Sequence, residues 1–87
     1  MLFHFQVRTD THVLLAETSD LENVDLARIE AAVRVGQLLR EQAGQLWADE
    51  EWRMDITDHQ GLILFVIQVS AMRTAATADL AAPVPTA

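Results

Sequence analysis

Three histidines are the side chains of this chain best suited to bind a metal ion. They occur at His4, His12 and His59. A zinc site needs three or four ligands that converge on one point. Simple hairpin pairing places His4 and His12 at opposite ends of a first hairpin and His59 at the tip of a second. No His-x-x-x-His or Glu-x-x-His pair occurs on the predicted helix. We therefore expect solvated histidines, with no metal and no cofactor.

Carboxylates gather before and within the second hairpin, at Asp49, Glu50, Glu51, Asp55 and Asp58. Glycosidase-like acid–base catalysis needs two carboxylates that face each other across a cleft. These five lie instead on a linker, on the outward face of a strand and in a turn. The pattern contains no catalytic constellation, and we expect no enzymatic activity.

The arginines and tryptophans leave alternatives open. Arg8, Arg53 and Arg73 could form a small anion-binding patch, or they could simply be solvated, with Arg53 paired to the neighbouring Asp55. The tryptophans, Trp47 and Trp52, bracket the connection between helix and third strand.

One interpretation of Trp47 and Trp52 is that they seal one end of the core. Another is that they line a ligand pocket together with His4.

The amino-acid composition excludes several classes of protein function. The 87 residues suffice for one domain, and 51% are apolar, so a compact core can form. A net charge of −7 repels phosphate backbones and disfavours nucleic acid as a partner. The chain has no cysteine, which excludes disulfides and thiolate chemistry, and no lysine, which excludes Schiff-base chemistry.

The hydrophobic pattern predicts two hairpins that flank one helix, in the order ββαββ. In the predicted strands, apolar and polar residues alternate with a period of two. Between the hairpins, apolar residues recur at three- and four-residue steps from Val24 to about Trp47, with Asn23 or Asp25 as the N-cap. The predicted core face of the helix consists of Ile29, Ala32, Val33, Gly36, Leu39, Ala43 and Leu46. We expect Gly36 to let the helix approach the sheet closely.

The second hairpin has the clearest signature. Asp58 can accept hydrogen bonds from the turn, and Gly61 tolerates a positive φ. Beyond this turn every position from Leu62 to Ile67 is apolar. Such a strand must be covered on both faces or must await a partner, so we expect Ile63, Phe65 and Ile67 to form an interface. This row predicts a homodimer.

The domain is expected to span residues 1–70 and to be followed by a flexible Ala/Thr/Pro-rich tail at 71–87. We expect a cytoplasmic protein without membrane contact, because the longest apolar run is far shorter than the roughly 20 residues that span a bilayer. The start of the chain also has no h-region of signal-peptide length.

Several short motifs resemble a family of small bacterial proteins known only as a domain of unknown function. The matching residues are Phe3-His4-Phe5-x-Val7-Arg8, Asp25-Leu26-Ala27-Arg28-x-Glu30-Ala31, Trp52, and Ile56-Thr57-Asp58-x-x-Gly61. The resemblance covers residues 1–69 and implies a ββαββ fold. It implies no activity, cofactor or catalytic residue. The first turn departs from the family pattern, with Thr9-Asp10 in place of Asp-Gly.

The sequence therefore predicts an α+β domain: a four-stranded, mostly antiparallel sheet with one amphipathic helix on one face. The helix returns the chain across the sheet, so the second and third strands should run in the same direction. We expect the strand order 2-1-4-3, which places the apolar last strand centrally. The predicted function is a non-enzymatic protein-interaction module whose partner is another protein or a second copy. The alternatives are an acidic, antitoxin-like inhibitor of a basic partner and a small-ligand binder or enzyme.

Overall fold

The computed structural model describes residues 1–78; residues 79–87 of the predicted tail lie outside this range. The elements are β1 (Leu2–Arg8), β2 (Val13–Asp20), α1 (Val24–Glu41), α2 (Ala43–Asp49), β3 (Glu51–Thr57), β4 (Ile63–Ser70) and α3 (Ala75–Ala78). Four strands form one sheet and α1 packs on one of its faces. The predicted α+β class is confirmed.

The strand order is β2-β1-β3-β4, so the predicted order 2-1-4-3 is wrong. Both β2 and β3 pair antiparallel with β1, which confirms that β2 and β3 run in the same direction. The helix delivers β3, rather than β4, to the free side of β1. This arrangement pairs the two strands that have one apolar and one polar face. The strand with the most continuous apolar sequence, β4, lies at an edge.

The core lies between α1 and the two central strands. Alternate residues of β1 and β3 point towards the helix and are almost fully buried: Phe3, Phe5, Val7, Trp52, Met54 and Ile56. Burying a side chain of this size contributes roughly 1.5–3 kcal/mol. Period-two alternation in these strands therefore predicts the core face correctly.

The face that α1 presents to the sheet differs from the predicted one. The buried positions are Ala27, Ala31, Val35 and Leu38. Of the predicted core face, Leu39 and Leu46 do pack against the core. The other five residues are exposed: Ile29, Ala32, Val33, Gly36 and Ala43. The small side chains of Ala27 and Ala31 let the helix lie close to the large aromatic residues of the sheet, so alanine performs the role predicted for Gly36.

Local signals set the start of α1 as expected, whereas its end differs from the prediction. The N-cap of α1 is Asn23, whose Oδ1 accepts a hydrogen bond from the backbone N–H of Leu26 at 2.9 Å. The predicted single helix ends earlier, at Glu41, because Gln42 leaves the helical backbone conformation. A separate short helix, α2, follows and ends at Asp49; its C-cap is Glu50, whose φ of 68° is left-handed.

Candidate interaction surfaces

The face of the sheet opposite α1, which we call the open face, carries a charge cluster built around one buried carboxylate. Asp55 points away from α1, yet its side chain is only 8% exposed. Arg53 Nε donates to its Oδ1 at 2.7 Å, and Arg8 Nη2 lies 3.4 Å from its Oδ2. Arg8 and Arg53 are direct cross-strand partners, so the carboxylate reduces the repulsion between two facing cations. The interpretation of Arg53 as an ion-pair partner of Asp55 is confirmed.

The same contacts weaken the anion-patch alternative, because Arg8 and Arg53 already share a carboxylate. A groove of 630 Å³ lies beside them, where the β1–β2 turn faces the start of β3. Its wall also contains Asp49 and Glu51, so positive and negative groups alternate around it. This mixed lining shows no preference for an anionic ligand.

The residues of the predicted pocket are not brought together. His4 lies on the open face of the sheet, where its Nδ1 is 3.0 Å from Thr18 Oγ1. Trp52 is buried on the opposite face and its Nε1 donates to Asp49 Oδ2 at 2.9 Å. Trp47 is half exposed on α2. Alternation along a strand explains the separation, because His4 points away from the helix while its neighbours Phe3 and Phe5 point towards it.

The candidate carboxylate Asp58 stabilises the turn between β3 and β4. Asp58 Oδ1 accepts hydrogen bonds from the backbone N–H groups of Gln60 and Leu62, and Gly61 has a φ of 85°. Asp58 is thus a turn residue, as predicted. Within residues 1–78, no three His, Asp or Glu side chains come close enough to hold a metal ion.

The predicted interface row on β4 is divided between the two faces of the sheet. Phe65 pairs with Ile56, and it packs partly buried against the core together with Ile67. Ile63 pairs with Thr57 and is exposed. A β-bulge at Leu64 causes the split, because one extra residue in a strand reverses the alternation of the side chains beyond it. Ile63, Phe65 and Ile67 therefore do not form one continuous surface.

The outer side of β4 remains available in the described chain. Each edge strand of the four-stranded sheet has one strand neighbour, and the neighbour of β4 is β3. β4 contains eight residues, none of them charged and none of them proline, and its Val66 is exposed on the open face. Sequence reasoning recognised the apolar character of this strand but placed it at the centre of the sheet.

A second apolar surface lies on α1, facing away from the sheet. Leu26, Ile29 and Val33 are exposed there, at steps of three and four residues. We call these residues, together with Gly36, the outer stripe. The sequence pattern does reveal the apolar periodicity of Ile29 and Val33, but the prediction that these residues face the core is wrong.

Within residues 1–78, fold and surfaces together define a small α+β domain with an open antiparallel sheet, one covered face and an apolar edge strand. Residues 2–70 match the family described as a domain of unknown function, DUF6894, and the chain belongs to that family. This confirms the resemblance to a domain of unknown function. Comparisons with curated proteins and with solved structures gave no match. Across residues 1–78 no helix is long and apolar enough to cross a membrane.

Proposed function

We propose that the chain is a non-enzymatic protein-interaction module that binds an extended segment of a partner protein along β4. The observation that carries this proposal is the uncharged, proline-free outer edge of β4. An exposed strand edge offers a row of backbone donors and acceptors to which a further strand can pair. Apolar side chains on both faces of that edge would add contact area.

The opposite edge of the sheet supports this choice by contrast. β2 carries Glu17 and Asp20, and charged side chains are one of the means by which proteins protect an edge from unwanted pairing. On β4 the bulge at Leu64 disturbs only the beginning of the strand. The regular stretch from residue 65 to residue 70 is long enough to pair with a partner strand of ordinary length.

Two exposed valines provide a matched test. Val66 on β4 and Val13 on β2 are 43% and 51% exposed, and each lies on an edge strand. Lysine on an edge strand discourages pairing. At position 66 the ammonium group would lie across from Asp55, so the domain should still fold. In affinity capture from the native host, measured by quantitative mass spectrometry, we expect the wild type and Val13→Lys to bind the same partner proteins. We expect Val66→Lys to lose those partners.

Two outcomes would contradict this assignment. Equal loss of partners in Val66→Lys and Val13→Lys would show that no specific edge is used. Capture that survives Val66→Lys but disappears as ionic strength rises would favour the acidic-inhibitor alternative, because exposed charge pairs are screened by salt. Thermal unfolding of each variant controls for loss of the fold.

A further inference from the structure

The helix α1 is apolar on two opposite sides. One side carries the buried residues Ala27, Ala31, Val35 and Leu38. The other side carries the outer stripe, in which Ile29 is 57% exposed and Val33 is 48% exposed. A helix that packs against one sheet needs a single apolar side, and the side that faces water is usually polar. The outer stripe therefore exceeds what the fold of one chain requires.

Gly36 adds a second observation at the same place. Glycine within a helix costs about 1 kcal/mol relative to alanine. A Cβ at Gly36 would meet no atom within 4 Å, so nothing in the described chain requires a missing side chain here. On the outer stripe, the glycine creates a shallow depression between Val33 and Arg40 that a large side chain from outside could enter.

We propose that a second copy of this chain occupies the outer stripe, with the two α1 helices packed antiparallel about a two-fold axis between Ala32 and Val33. This inference concerns a different surface from β4 and does not depend on the proposed strand binding. A symmetric dimer uses the same patch on both copies, so the patch must complement itself. The order of residues along α1 meets that condition.

Steric and charge complementarity both support the same register. With the axis between Ala32 and Val33, Ile29 of each copy faces Gly36 of the other, so a large side chain meets the depression. The same register places Asp25 opposite Arg40. The Asp25 carboxylate lies 3.6 Å from Arg28 of its own chain, but it is largely exposed, as Arg40 is, and it can also face a second cation. A parallel arrangement would instead bring Ile29 against Ile29 and Arg40 against Arg40. The antiparallel pairing therefore joins complementary groups where the parallel one joins like groups.

The small size of the outer stripe limits the expected affinity of the dimer. Stable protein interfaces bury about 800 Å² on each partner, and one stripe of three apolar side chains on one helix is smaller than that. We expect a reversible dimer whose population rises with concentration through the micromolar range. Sedimentation of the full chain over a concentration series measures this equilibrium directly.

Charged substitution tests the surface, and the chain again offers a matched control. Val33 and Val13 have similar exposure but lie on α1 and on β2. Val33→Lys places two like charges beside the two-fold axis, so we expect it to remain monomeric at concentrations where the wild type and Val13→Lys dimerise. Val66→Lys should also dimerise normally, which separates this proposal from strand binding at β4.

Cross-linking tests the register, and the absence of native cysteine makes it free of background. Val33→Cys lies beside the proposed axis and should form disulfide-linked dimers under mild oxidation. In the antiparallel register the two copies of residue 40 are offset by fifteen residues, about 22 Å along the helix. A disulfide needs Cα atoms within roughly 7 Å, so Arg40→Cys should not cross-link.

Three results would overturn the proposal. A wild-type chain that sediments as a monomer throughout the series would show that no second copy occupies the stripe. Equal dimerisation of the wild type and Val33→Lys would place the interface elsewhere. Efficient cross-linking through Arg40→Cys would show a parallel arrangement. Unchanged dimerisation of Val66→Lys would support this inference whether or not that variant loses its captured partners, because the outer stripe and β4 are different surfaces.

Discussion

Replacing Gly36 by alanine should stabilise the folded monomer. Gly36 lies inside α1 with helical neighbours on both sides, and an added methyl group would meet no atom within 4 Å. Alanine is favoured over glycine in a helix interior by about 1 kcal/mol. Part of this gain arises because alanine has less conformational freedom to lose from the unfolded chain. We therefore expect the free energy of unfolding to rise by about 0.5–1 kcal/mol.

Thermal and urea unfolding at low protein concentration measure this effect without a contribution from association. For a domain of this size, 1 kcal/mol corresponds to a shift of roughly 4–8 °C in Tm. Gly61 provides the control: a Cβ there also meets no atom within 4 Å, but its φ is 85°. Gly61→Ala should lower stability, because alanine is strained at a positive φ.

Destabilisation by Gly36→Ala would refute the reasoning. It would mean that the backbone at Gly36 approaches another part of the chain, as the sequence pattern first suggested. An increase in stability for both glycine variants would also contradict it, because the backbone conformation of Gly61 should then have imposed a penalty.

Substitutions at three further positions test the local contacts. Asp55→Asn should lower the free energy of unfolding by about 1–2 kcal/mol, because Arg8 and Arg53 would then face each other without a carboxylate between them; no change in urea unfolding would show that solvent already screens both arginines. Asn23→Ala should cost about 1 kcal/mol by removing the α1 cap, and Asn23→Asp should restore most of it; equal stability of all three would deny the cap a role. Glu50→Gly should match or exceed the wild-type Tm, whereas Glu50→Val should fall below it, because a β-branched residue is disfavoured at a φ of 68°; the reverse order would contradict the left-handed cap.

The two free surfaces suggest a division of roles. The outer stripe of α1 and the edge of β4 involve different elements, so a dimer through α1 would leave both copies of β4 available. Such a dimer would present two strand-binding edges, and binding two linked sites at once can exceed the affinity of either alone. The three valine variants, at positions 13, 33 and 66, separate these roles experimentally.

Much of the local structure follows from the amino-acid sequence alone. The alternation in β1 and β3, the turn from Asp58 to Gly61 and the cap at Asn23 all depend on neighbouring residues, whose backbone preferences and hydrogen bonds act over a few positions. The Glu30–Arg34 pair is local in the same sense, because residues four apart meet on a helix; its Nε–Oε1 distance is 3.0 Å. The family match over residues 2–70 agrees with this local pattern.

The choice of which apolar surface is buried depends instead on long-range packing. The helix has two apolar sides, and hydrophobicity alone favoured the side with Ile29 and Val33. The sheet already supplies large aromatic side chains, so close packing selects the smaller alanine side of α1. In the same way, an apolar strand has no intrinsic position in a sheet. The crossover through α1 placed β3 beside β1, and it left β4 at the edge with one apolar face still exposed.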